Sequence, residues 1–122
     1  MAALTLNTTS IVSGQPFSIT SGNLSMSAGS DPVYSTEERN AGVDAVAALC
    51  NGGSIEVATS NAFTTILGTF ALNNPAFAAA SGGSAALNVS GMTVNGSNTG
   101  TATHYRYKTS GGQVRRVGTV GT

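Results

Sequence analysis

One stretch alone in this chain carries a helical period, and it is bounded at both ends. Ser35-Thr-Glu-Glu38 is a capping box, in which the Ser35 hydroxyl can accept from the Glu38 amide while the Glu38 carboxylate reaches back. Acids in this first turn also complement the helix dipole. Val43, Val46, Ala47 and Cys50 then recur at helical spacing with Leu49 alongside, and Asn51-Gly52-Gly53 supplies a left-handed stop. The spacing predicts one α-helix over about residues 35–50. Outside it the chain is built of short apolar runs cut by turns, so its fold class is mainly β.

The runs on either side predict strands. Leu4–Val12 is β-branched and Thr-rich. Phe17 and Ile19, then Leu24 and Met26, alternate on either side of Ser21-Gly22, which predicts a strand, a turn or bulge, and a continuing strand. Ala28-Gly-Ser-Asp-Pro32 is a connector ending in a Pro that a central strand excludes. After the helix, Ser54–Thr59 alternates with Ile55 and Val57 inward, and Thr65–Leu72 is a second strand. Asn73-Asn-Pro-Ala-Phe77 is a turn whose Phe77 returns to the core, and Ala85–Val89 and Met92–Val94 are short strands. Asn95-Gly96 is a tight-turn dipeptide. Thr101–Thr109 is the longest expected strand, with Tyr105 and Tyr107 on one face and His104, Arg106 and Lys108 on the other. Ser110–Gln113 turns it back into Val114–Val120. About seven strands, with turns roughly every 8–12 residues, predict an antiparallel β-sandwich or small barrel. A chain of 122 residues fits one domain, 1–122.

Charge narrows the function. Charged residues make up 8% of the chain, with five acids and five bases, so there is no clustered basic footprint for nucleic acid. The charges are nevertheless sorted. Asp31, Glu37, Glu38, Asp44 and Glu56 lie early, Arg106, Lys108, Arg115 and Arg116 late, and only Arg39 breaks the order. An acidic helix and a basic hairpin account for this blandly. The sharper reading is a pair of complementary patches on copies of one protein, with Glu37, Glu38, Asp44, Arg106, Lys108, Arg115 and Arg116 as contact residues. The first residues have no basic segment followed by an apolar run, so no signal peptide is expected. Nor does any apolar stretch approach the roughly 20 residues of a membrane span.

The inventory for chemistry is thin, and the expectation is no enzyme, no cofactor, no metal and no small-molecule substrate. Cys50 falls in the helical stripe and reads as a buried small hydrophobe, without a partner for a disulfide. His104 sits on a strand face among cations, and one His cannot anchor zinc. Glu37 and Glu38 are explained by capping, Asp44 by an exposed helix position, and Glu56 stands alone on a strand. The Gly pairs lack the Lys-Ser or Lys-Thr of a phosphate loop. Tyr105 and Tyr107 interleaved with Arg106 and Lys108 could make a stacking platform for a single strand, although core packing plus a subunit contact explains the strand better.

Several blocks resemble a family of small tailed-bacteriophage structural proteins. Glu38-Arg-Asn-Ala-Gly-Val-Asp-Ala-Val46, with Asn51-Gly-Gly-Ser-Ile-Glu-Val57, is similar to the opening helix and first strand of those chains. Leu72-Asn-Asn-Pro-Ala-Phe-Ala-Ala-Ala-Ser-Gly-Gly83 resembles their Pro-Ala-Phe turn. Gly100-Thr-Ala-Thr-His-Tyr-Arg106 resembles a later strand, with His104 where the family has an aromatic, and Val117–Thr122 resembles the stretch after their hairpin. Leu4-Thr-Leu-Asn-Thr-Thr-Ser-Ile-Val12 resembles the segment that follows in the family, yet here it comes first. The resemblance therefore implies a circular permutation. Residues 1–27 would be the family's C-terminal strands, 28–34 an engineered linker with a Gly29-Ser30 joint, and 35–122 the helix and remaining strands. It implies a virion protein for capsid decoration, a connector or a tail, with homo-oligomers or other virion proteins as partners, and termini that lie close together. The alternative expectation is a carbohydrate- or cell-surface-binding β-sandwich using exposed Tyr, Asn and Thr.

Overall fold

The computed structural model describes residues 4–122. In chain order the elements are β1 (Leu4–Leu6), β2 (Ser10–Ile11), β3 (Pro16–Ser25), α1 (Thr36–Cys50), β4 (Ser54–Ala58), β5 (Ile66–Ala71), β6 (Ser84–Ala86), β7 (Thr93–Asn95), β8 (Gly100–Thr101), β9 (His104–Lys108) and β10 (Val114–Gly121). The fold is mainly β with a single helix among the described residues, as the turn spacing and the capping box predict. The cap is formed: the Glu38 amide donates to the Ser35 hydroxyl at 3.1 Å.

Ten strands among the described residues, against about seven expected, arise largely because two runs break. Leu4–Val12 divides after Leu6, where Asn7 turns its amide to the Ser18 carbonyl and its side chain to the Ser18 amide. Thr101–Thr109 divides at Ala102–Thr103, whose amides donate to Thr9 and Ala58. The freed ends β2 and β8 pair with each other as a separate ribbon. The longest strand is therefore β3, with 10 residues.

The main sheet runs β5-β4-β9-β10-β1-β3-β6, with β7 also on β3, and curls into a half-barrel. Its pairings are antiparallel except β1 against β10, where Leu4 stands opposite Val120 and Thr5 opposite Gly121. The bulge expected near Gly22 lies slightly earlier. Leu6 faces Ile19 and Thr5 faces Ser21, which leaves Thr20 as the extra residue, its hydroxyl donating to the Thr5 carbonyl.

The concave side is filled by alternating residues of these strands: Leu4, Leu6, Phe17, Ile19, Ile55, Val57, Phe70 and Tyr107. Phe17 meets Phe70 edge-on at 5.2 Å, and Phe77 does the same to Tyr107 at 5.3 Å. Phe77 thus returns from its turn as expected. No polar or charged side chain of the described residues is buried in this core.

Helix α1 packs on β3 and β6 through Val43, Ala47 and Cys50. Leu49, expected beside this stripe, is instead 50% exposed, because one position before Cys50 is about 100° round the helix and past the edge of the contact. So narrow an apolar stripe is supplemented by polar tethers. Asn40, Asp44 and Asn51 accept the backbone amides of Gly83, Ala80 and Ala76 at 2.7, 2.9 and 2.8 Å. The tethered segment itself lies along the outer edge of β6, where the Ala78 amide donates to Ala86. The helix therefore closes one sheet edge. At the opposite edge, the Ser97 amide and the Asn98 side chain bond the Leu67 and Ile66 carbonyls of β5. Both edges are blunted against strand addition at these points.

Candidate assembly surface

Register decides which charges remain available. Glu56 on β4 stands opposite Arg106 on β9, and its carboxylate accepts from Arg106 Nε at 2.6 Å and pairs with Lys108 Nζ at 3.2 Å. Burial alone would raise the Glu56 carboxyl, but the hydrogen bonds and charges of the two cations outweigh it and hold it below its ordinary value. Arg106 also stacks over the Phe63 ring at 4.3 Å. Glu56 is not alone on its strand, and Arg106 and Lys108 already have an anionic partner within the chain. Asp44 is likewise engaged, as the acceptor for Ala80.

What remains falls into two groups. Near the start of α1 lie Asp31, Glu37, Glu38 and Arg39, and on β10 lie Arg115 and the half-buried Arg116; none of the six has an ionic partner among the described residues. The two groups are held far apart. Gly53, just past the helix, lies against the backbone of Lys108 and Thr109, which docks the β9–β10 hairpin beside the helix C-terminus. Burial pushes the Cys50 thiol up, and Arg115 and Arg116 partly offset that from the hairpin. A helix of 15 residues is about 22 Å long, so the acidic and basic groups sit near its opposite ends.

Exposed apolar side chains accompany both groups. Val33 is 68% exposed and Tyr34 41%, just before Glu37, and a groove beside them is lined by Met26, Tyr34, Glu38 and Arg39. On β10, Val114 and Val117 (54% exposed) flank the two arginines. Neither apolar pair was singled out from the sequence. Its signal is a Val or Tyr adjacent to charge where the strand or helix period directs it outward.

The tyrosine platform is not present on the surface. Tyr107 is 0% exposed and Tyr105 nearly so, and the Tyr107 hydroxyl donates to the Asn23 carbonyl at 3.1 Å. Burial pushes both phenols up. His104 Nδ1 is within 2.8 Å of the Thr103 hydroxyl on the outward side of β9, whereas Cys50 is buried at the end of α1. The structure does not bring these two together. No helix among the described residues is long and apolar enough to cross a membrane. No protein family, characterised protein or solved structure matches the chain.

Proposed function

We propose that the chain is a non-enzymatic structural subunit of a bacteriophage virion, self-assembling or seated on a capsid or tail lattice. The observation that carries this reading is the pairing of exposed apolar side chains with unpaired charge at two separate places, Val33–Glu38 and Val114–Val117. Scattered apolar residues are normal on a monomer, whereas an apolar centre rimmed by charge is the composition of a protein contact. The motif blocks at 38–57, 72–83 and 100–106 support the phage origin. Support for a rotated chain order comes from Leu4 and Val120, which are register partners, and from residues 28–34, which form a surface loop between β3 and α1.

Light scattering over a concentration series, with negative-stain imaging, tests the reading. Rings, tubes, shells or binding to phage capsids are expected. Monomers at every concentration that also fail to bind capsids would sink it. The carbohydrate-binding reading keeps one surface tyrosine, Tyr34, above the groove. A reproducible glycan-array signal lost on Tyr34→Ala would favour it; Tyr107→Ala is no test, because that ring is in the core.

A further inference from the structure

We infer that β10 of one copy docks on the Val33–Glu38 face of the next, a head-to-tail contact that rests on the self-assembly reading above. β10 presents Val114, Arg115 and Val117 to solvent, whereas Arg116 turns to the other side of the strand and is half-buried beside Tyr105 and Ser25. β10 is paired on both edges, by β9 and β1, so only its outward face, with Arg115 beside Val114 and Val117, is open to a partner. The partner must therefore offer anionic groups around an apolar centre.

The same chain offers such a face. Tyr34, Met26, Glu38 and Arg39 line a groove, with Arg39 drawn aside by the Gly82 carbonyl and the Thr36 hydroxyl, and Glu37 and Val33 stand beside it. Valine side chains entering the groove would bring Arg115 to Glu37 and Glu38. Within one molecule Arg115 forms no ion pair with Glu37 or Glu38. A contact between unlike faces propagates, and closes into a ring or continues as a filament depending on the rotation per step. Arg106 and Lys108 take no part, since Glu56 neutralises them.

Two charge-reversed chains test this, one carrying Glu37→Lys and Glu38→Lys, the other Arg115→Glu. Each alone is expected to need at least about tenfold more protein for half-assembly than the parent chain. Mixed in equal amounts they should recover assembly, because each then supplies the face the other has lost. Recovery also shows that both chains fold. Reversed chains that assemble like the parent, or a mixture that fails to recover, overturn the contact while leaving assembly standing. A parent chain that stays monomeric overturns the self-assembly reading and the contact with it.

Discussion

At the scale of single residues, Glu56 shows what position in sequence conceals. Its partners are 50 and 52 positions away, and only the antiparallel register of β4 on β9 sets them side by side. No local spacing marks such a pair. A carboxyl held low in the folded state contributes stability that is complete above its unfolded value and is lost as pH falls through the folded one. Thermal stability should therefore decline as pH falls below the ordinary glutamate value of about 4, and Glu56→Gln should flatten that decline. At neutral pH the substitution should cost about 1 kcal/mol. Acid unfolding profiles of the two chains that superimpose would refute the role. Tyr107 gives the opposite limit. That it shares a face with Tyr105 was legible from strand alternation, but neither its burial nor its hydrogen bond to Asn23 was, because that carbonyl belongs to a strand 84 residues away. Burial raises its pKa, so its contribution is complete below the unfolded value and lost as pH rises past about 10. Tyr107→Phe should cost about 1 kcal/mol at neutral pH and weaken the alkaline decline, as denaturant titration at each pH would show.

Among the elements, α1 was the most legible and its attachment the least. The capping box, the apolar stripe and the Asn-Gly-Gly stop are all local, and α1 begins and ends where they place it. What holds it down is a row of three side-chain acceptors, Asn40, Asp44 and Asn51, spaced by four and seven residues. In sequence these read as ordinary helix polars. Their target, the 76–83 segment, needs acceptors because its amides would otherwise lie unpaired under the helix. Asn40→Ala should destabilise the fold by about 1–2 kcal/mol, since it strands the Gly83 amide. Hydrogen exchange should quicken at Gly83 and Ala80 before it does in β9; uniform protection throughout would refute the tether. Gly53→Ala should be costlier, by about 3 kcal/mol, because its Cβ would run into the Lys108 carbonyl where α1 meets the hairpin.

For the whole molecule, the chain ends are the feature that most directly invites a test. Leu4 lies beside Val120, and the loop at 28–34 is crossed by one backbone bond, from the Tyr34 amide to Ala28. A chain closed at the first site and reopened in the loop should keep its far-ultraviolet spectrum and lose no more than about 1 kcal/mol, about 5 °C in Tm. Loss of cooperative unfolding would refute the equivalence of the two orders. The same scale separates what the sequence determined by itself from what tertiary structure decided. Local chemistry determined the single helix and its limits, the main strands with their inward residues, and the turns, because capping, period two and backbone freedom all act within a few residues. Tertiary structure decided the parallel seam of β1 on β10, the splitting of two long runs, the partners of Glu56 and the burial of Tyr107. Those depend on which distant backbone edges satisfy one another, and that condition leaves no mark within any one segment.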